Sequence, residues 1–333
     1  MPRPTIQRSA RPIIALTPNP ALDRTLTLGR GLEPGTLHRV THVREAAGGK
    51  GVNLARAVAA LAASDPAGDP AQGDAHAGVV APGVVVAGPL AGFNGRKFRS
   101  LLEAEGLAGT LTEVTGETRE CTIVLDGSAH PTEINEAGPE VDEAAWRALL
   151  AKLPEGRLAV SGSLPPGTPP ATFAALLADL PRPVVVDAHG PALLAALEAG
   201  AELVKPNRRE LAEAASALGL TSPDDPLAAA EALQRRYGAR VLVTLGEDGA
   251  LLVCGRERWL AHAPRVDVVN PVGSGDCLLG AFLWAEDAGE PAERALALGV
   301  AAGADNARRG GGGTVDGAAV RELAGAVRTE RLP

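Results

Sequence analysis

A series of short apolar runs constrains this chain more than anything else in it. Ile13–Leu16, Val84–Ala87, Leu158–Val160, Val184–Val186, Leu203–Val204 and Val241–Leu245 are of strand length and show no polar alternation. A strand that is apolar on both faces has to be covered on both faces. Between the runs lie segments of helical character, Gly95–Ala104, Ala144–Leu153, Ala171–Leu180 and Ala192–Ala199 among them. Strands alternating with helices predict an α/β fold, a mostly parallel sheet flanked by helices. Val241–Leu245 and Ala250–Val253, joined through Gly246-Glu247-Asp248-Gly249, read as a hairpin late in that sheet. The 333 residues are enough to bury a large core, and residues 12–333 are read as one domain.

Other strand candidates do not follow the parallel rhythm. Thr25–Leu28 and Thr36–Val43 carry β-branched residues separated by Gly29, Gly31, Pro34 and Gly35. Thr110–Val114, Cys121–Leu125 and Thr132–Ile134 follow in a turn-rich region. Together they predict a small β-sheet lid, drawn from about residues 21–45 and 110–135. Two stretches lie outside any element: the basic, Pro-containing tail Met1–Arg11 and the Ala/Gly/Pro/Asp-rich Ser64–Gly83, read as a flexible insertion.

Functional residues of open parallel sheets collect beyond the carboxyl ends of the strands. Thr17-Pro18-Asn19-Pro20 with Asp23, Ser161–Gly167 and Lys205–Glu210 each follow a predicted strand. The two most informative loops are rich in glycine. Asn270-Pro271-Val272-Gly273-Ser274-Gly275-Asp276 runs into an apolar helical segment, so free N–H groups and the positive end of a helix dipole meet at one spot. That is an anion site, and phosphate is its natural ligand. Asp276 among those donors is either a helix cap or a general base acting on a hydroxyl that attacks a phosphoryl group. Gly48-Gly49-Lys50-Gly51-Val52-Asn53 is the second such loop, with Val52, Ala55, Val58, Ala59 and Ala62 on one helical face. No Ser or Thr follows Gly49-Lys50, so this is not a Walker A loop, and Leu54 stands where a dinucleotide fingerprint needs its third glycine. Lys50 is either a solvent-facing turn residue or a ligand for a second anion.

Composition excludes several partners. The net charge is −8 and no Lys/Arg run appears, which argues against nucleic acid. No run of about 18 apolar residues exists to span a membrane, and a soluble cytoplasmic protein is expected. Cys121, Cys254 and Cys277 lack metal-ligand spacing and read as reduced thiols, and the six histidines are dispersed.

Taken together, Thr17–Asp23, Gly48–Asn53, Ser161–Gly167, Lys205–Glu210 and Asn270–Asp276 resemble, in order, the motifs of the phosphofructokinase B, or ribokinase-like, family of sugar kinases. The resemblance runs from about Ile13 to Val327. Within the family it points to the branch of 1-phosphofructokinase and tagatose-6-phosphate kinase. Asn270-Pro-Val-Gly-Ser-Gly-Asp and Thr132–Pro139 look closer to the tagatose enzymes. One departure is Asn270 where many members have Asp, a change the tagatose-type pattern accepts.

The resemblance implies an ATP-dependent, Mg2+-assisted kinase of a phosphorylated ketohexose, tagatose 6-phosphate or fructose 1-phosphate. Asp276 would be the base, with Gly273, Ser274 and Gly275 as the anion hole. Asp23 and Asn53, beside Gly48 and Gly49, would bind sugar hydroxyls, and Lys50, Arg119 and Ser163 would hold the sugar phosphate. Lys205, Asn207, Thr244, Gly246, Gly249 and Val300 would form the nucleotide side. Asn207 and Glu210 would organise magnesium through water. A homodimer joined through the lid is implied as well. The rival readings are a 6-phosphofructokinase, a kinase of an unphosphorylated sugar or nucleoside, and a catalytically silent sugar-phosphate sensor. Lys50 and Arg119 argue against a neutral acceptor, which needs no such cations.

Overall fold

A computed structural model describes residues 11–65, 83–127, 131–220 and 222–333. Except for Arg11, Ser64, Asp65 and Gly83, the tail and the insertion read from the sequence lie outside these residues.

The large sheet contains β1 (Ile13–Leu16), and the lid sheet takes the next two strands, β2 (Ala21–Leu28) and β3 (Val40–Gly48). After α1 (Lys50–Ala63) the chain returns to the large sheet with β4 (Val84–Leu90), α2 (Gly92–Ala104) and β5 (Ala108–Glu113). The strands β6 (Arg119–Leu125) and β7 (Thr132–Asn135) complete the lid. From there the alternation is regular: α3 (Glu143–Leu150), β8 (Arg157–Ser161), α4 (Pro170–Ala178), β9 (Val184–Asp187), α5 (Gly190–Glu198) and β10 (Leu203–Val204). The helices α6 (Arg208–Ala217) and α7 (Pro226–Tyr237) lead to β11 (Arg240–Thr244), β12 (Ala250–Cys254) and β13 (Glu257–His262). The chain ends with α8 (Ser274–Asp287), α9 (Ala292–Ala307), α10 (Gly317–Ala324) and β14 (Arg328–Arg331).

The large sheet has the order β14-β13-β12-β11-β10-β9-β8-β1-β4-β5. It is parallel from β11 to β5 and antiparallel from β11 to β14. Its strands explain the absence of polar alternation, because successive side chains enter two different cores. Ile13, Ala15, Val185, Leu203 and Leu242 join the cluster under α1, α8 and α9. Ile14, Leu16, Val184, Val186, Val204, Val241 and Val243 join the cluster under α3 to α7. A strand buried this way reads as a continuous apolar run. The connections leave β1 toward β4 on one side and β8 on the other, so the crevice above β1 and β8 is the topological switch point.

The lid is a four-stranded sheet in the order β3-β2-β6-β7. Two sequence expectations change here. The strand read at Thr110–Val114 is not part of the lid: β5 pairs in parallel with β4, Val86 opposite Gly109 and Gly88 opposite Leu111, at the edge of the large sheet. A strand after a single crossover helix returns beside its predecessor, and α2 is that helix. The strand read at Thr36–Val43 begins at Val40 and runs to Gly48, because β2 offers partners down to Ala21. The sequence reading also missed β14, whose Arg-Thr-Glu-Arg has no apolar face to signal it.

At the opposite end of the sheet from the switch point, Arg157 and Arg240 knit three elements together. Arg157 bonds Glu202 at 2.9 Å, Glu286 at 2.9 Å and Asp287 at 3.2 Å, and Arg240 bonds Glu202 at 2.6 Å. Glu286 and Asp287 lie at the C-terminal end of α8, where the helix dipole disfavours carboxylates. Removing Arg240 leaves three partly buried carboxylates to share the single guanidinium of Arg157, a loss of up to about 3 kcal/mol. Arg240→Met is therefore expected to lower the urea midpoint markedly while leaving the distant switch point intact. An unchanged midpoint would mean that the cluster contributes nothing to stability.

Candidate active site

Two helices aim their N-termini at the switch point. The first turn of α1 starts after Gly49, at φ 115°, and that of α8 after Gly273, at φ 83°, backbone angles that favour glycine. The helices pack closely, since a Cβ on Gly280 of α8 would collide with the Leu54 carbonyl of α1. Their positive ends therefore act on the same small volume. Asn53 of α1 donates its Nδ2 to Oδ2 of Asp276 on α8 at 2.9 Å. The Ser274 amide turns back to the Pro271 carbonyl at 3.1 Å, and among the described residues the Gly273 and Gly275 amides have no acceptor.

Asp276 is buried. Burial and the neighbouring Asp187 push its pKa up to about 6, against the opposing pull of Lys50, Lys205 and Asn53. It is thus ionised at pH 7 yet basic enough to take a proton. The cap reading of Asp276 does not hold as an alternative, because α8 has no side-chain cap and the carboxylate is bonded to Asn53.

Asp187, at the end of β9, is fully buried and faces two ammonium groups, Lys50 at 3.2 Å and Lys205 at 3.1 Å. Burial alone would raise its pKa, but Lys205 and then Lys50 more than reverse this, and the carboxyl titrates below its ordinary range. Lys50 is held protonated by Asp187 in return, with Asp276 and Glu210 assisting against burial. Lys50 is accordingly not a solvent-facing turn residue. Nor is it remote from the nucleotide-side motifs, because it shares a carboxylate with Lys205.

Asp23 lies on β2 directly over Gly48, where its carboxylate occupies the space a Cβ would need. Burial raises its pKa to about 6, offset by Arg56 and Arg119 and reinforced by Glu133. Arg119 donates Nη2 and Nε to the Asn19 carbonyl at 3.0 and 3.2 Å and Nη1 to that of Glu136 at 3.3 Å. It therefore ties β6 to the loop after β1. Ser163 follows Gly162, and a Cβ on that glycine would lie 4.0 Å from the Lys50 Cβ, so this loop borders Lys50.

A cleft of about 1070 Å³ opens on the other side of α8. Asn207, Thr244, Gly246, Gly249 and Val300 line it, together with Ser274 and Gly275. Lys205 and Glu210 lie outside the lining, both buried. A Cβ on Gly275 would be 3.4 Å from Lys205 Nζ, which places that ammonium beside the anion hole. Asn207 and Glu210 form a reciprocal capping box at the start of α6, each side chain accepting the other's backbone N–H at 2.9 Å. One Glu210 oxygen remains outside the box.

Several residues of the site escaped the sequence reading. Arg56 holds the Asn53 side chain at 3.1 Å and the Ala47 carbonyl at 2.6 Å. Asn306 of α9 braces the glycine loop, donating to the Val272 carbonyl at 2.9 Å and to Ser274 Oγ at 3.0 Å. Asp305, fully buried, binds Arg308, Arg309 and the Asp316 amide, and so folds the chain around Gly310–Gly313. Gly313 abuts both Asn53 and Gly273 with no room for a Cβ. Asp187 carried a signal, since it ends a buried strand, and Arg56 stands one helical turn after Asn53; Asn306 and Asp305 are separated from the motifs they serve.

Comparison with known proteins agrees with this geometry. The family model described as pfkB family carbohydrate kinase matches residues 17–316. A 1-phosphofructokinase of Haloferax volcanii is 36% identical over 292 residues, covering 86% of this chain and 88% of its own. The 1-phosphofructokinase of Escherichia coli strain K12 is 32% identical over 303 residues, with 89% and 90% covered. Among solved structures, phosphofructokinase-2 of Escherichia coli in complex with fructose-6-phosphate superimposes with a TM-score of 0.80 at 28% identity, covering 96% of this chain and 99% of that one. Ribokinase from Thermotoga maritima, at 21% identity and a TM-score of 0.70, shares the fold. With a family model spanning nearly the whole chain and both glycine loops meeting at one carboxylate, the chain belongs to the pfkB family of carbohydrate kinases.

Proposed function

We propose that the protein transfers the γ-phosphate of ATP to a hydroxyl of a phosphorylated ketohexose, fructose 1-phosphate foremost. The observation that carries this reading is Asp276, bonded to Asn53 where two helix N-termini converge, with the cleft on one side and Asp23 on the other. Fructose 1-phosphate is placed before tagatose 6-phosphate because both sequence relatives are 1-phosphofructokinases.

In this reading Asp276 takes the proton of the attacking hydroxyl, and Asn53 fixes the carboxylate's orientation as well as meeting the sugar. The free amides of Gly273 and Gly275 receive charge on the transferred phosphoryl oxygens, with Ser274 shaping the turn. Asp23, in the space left by Gly48 and beside Gly49, accepts from the sugar hydroxyls. Lys50, Arg119 and Ser163 border the acceptor's own phosphate. Lys205 lies next to Gly275, where the γ-phosphate would sit. Thr244, Gly246, Gly249 and Val300 line the donor cleft. The outstanding Glu210 oxygen, with Asn207 at the cleft wall, suits a magnesium ion held through water, for among the described residues no cluster of carboxylates or imidazoles forms a cage. Bound there, magnesium would neutralise donor phosphate charge.

The lid carries exposed Val40, Val43 and Ile134 on its strands and Leu37 on the loop between β2 and β3, and exposed apolar side chains of this kind support a homodimer joined through the lids. No described helix is long and apolar enough to cross a membrane.

Side-by-side kcat/KM measurements with fructose 1-phosphate, tagatose 6-phosphate, fructose 6-phosphate and fructose test the proposal. The phosphorylated ketohexoses should exceed fructose by about two orders of magnitude, as expected when charged binding groups lose their ligand. A preference for fructose or for a nucleoside would reject the reading, and ATP without turnover on any acceptor would favour a sensor.

A further inference from the structure

Four cations around the site are already bonded within the protein. Lys50 pairs with Asp187, Lys205 with the same carboxylate, Arg56 with Glu105, and Arg119 with two backbone carbonyls. Arg44 differs. It lies on β3 of the lid, and among the described residues its side chain has neither a hydrogen bond nor an ion pair. Strand register puts it on the inner face. Arg44 stands opposite Thr25, Thr25 opposite Ile123, and Ile123 opposite Glu133, forming one row across the lid. Asp23 is two residues from Thr25 on β2 and therefore shares that face.

The guanidinium of Arg44 rests on Gly311, a buried glycine with no room for a Cβ beneath it. Gly311 belongs to the same loop as Gly313, which abuts Asn53 and the Gly273 turn of the anion hole. Arg44 thus spans from the lid to the loop that backs the reacting carboxylate. It does not line the nucleotide cleft. Glu133, at the other end of the row, is three strand spacings away, roughly 14 Å, too far to neutralise it. The row is therefore polarised: a dianion is repelled at the β7 edge and attracted at the β3 edge.

From this placement we infer that Arg44 is a specificity-determining residue, reaching from the lid to the non-transferred phosphate of the acceptor. The inference rests on the proposed function and adds a contact to it. A planar guanidinium with no partner among the described residues is suited to bidentate binding of phosphate. By drawing the lid edge onto the glycine loop, the same contact would close the site against water when a phosphorylated acceptor is present.

Arg44→Met tests the inference through steady-state kinetics on fructose 1-phosphate, fructose and ATP. Loss of one charge-assisted contact should raise KM for fructose 1-phosphate about tenfold or more. The KM for ATP and kcat/KM for fructose should stay near wild type, and Arg44→Lys should recover part of the loss. An unchanged KM for fructose 1-phosphate overturns the role. So does an equal loss on fructose and fructose 1-phosphate, which would make Arg44 a packing residue of the lid. Failure of the functional reading shows separately, as a wild-type enzyme that gains nothing from the acceptor's phosphate.

Discussion

Asp276→Asn is expected to cut kcat by two to four orders of magnitude, the range for a lost general base, with KM for both substrates little changed. The fold should survive. Asn keeps an oxygen to accept the Asn53 amide, and it removes a charge that the interior disfavours. The folded-state pKa of Asp276 is raised, from 3.8 to about 6. A raised acid stabilises the fold below its unfolded value, and that contribution is lost as pH rises toward 6. The variant should therefore melt at or above the wild type at pH 8, with no advantage at pH 4. In the wild type, kcat should fall on an acid limb near pH 6, because only the carboxylate accepts a proton. A variant that keeps about a third of wild-type turnover, with chemistry shown to limit the rate, would remove Asp276 from the reaction.

Asp187→Asn should disturb stability and chemistry in separable ways. Taking the negative charge from between Lys50 and Lys205 leaves two ammoniums facing each other. Removing one partner from a buried ionic group costs about 3 kcal/mol when one of the cations is partly exposed, as Lys50 is. For a chain of this size that is a fall in Tm of about 4 °C. Asp187 has a lowered pKa, so its stabilisation is present above the ordinary carboxylate value and vanishes as pH falls through the lowered one. The gap between variant and wild type should accordingly be full at pH 7 and close in strong acid. The chemistry moves in a different direction. The Asp187 charge is one of the causes holding the Asp276 pKa up, so its loss should shift the acid limb of kcat to lower pH. Melting curves and a pH–kcat profile read the two effects. A limb that stays near pH 6 would show that Asp187 does not reach the base.

Arg44 and Asp187 also mark the boundary of what is legible in the chain itself. Ile13–Leu16 and Val184–Val186 announce parallel strands because an element buried on both faces needs apolar side chains at every position. The motifs Gly48–Asn53 and Asn270–Asp276 announce themselves for a related reason. A left-handed turn, free amides and a carboxylate have to be neighbours along the chain to make a helix N-terminus into an anion site. Local physics of this kind determined the α/β class and the two glycine loops and singled out Asp276 and Lys50 within them; the roles expected of Asn53 and Lys205 came from the family resemblance. Tertiary structure alone decided how they meet. Asn53 and Asp276 are 223 residues apart, and only the close crossing of α1 and α8 at Gly280 brings their side chains together. The pairing of β5 with β4 depends on where α2 returns the chain, not on any property of Ala108–Glu113. Asn306 braces a glycine loop far from it in the chain, and Asp187, although it ends a buried strand, has no sequence neighbour that names the two lysines it holds. Short-range geometry is written in consecutive residues, whereas compensation of a buried charge needs only proximity in space, which any distant strand or helix can supply.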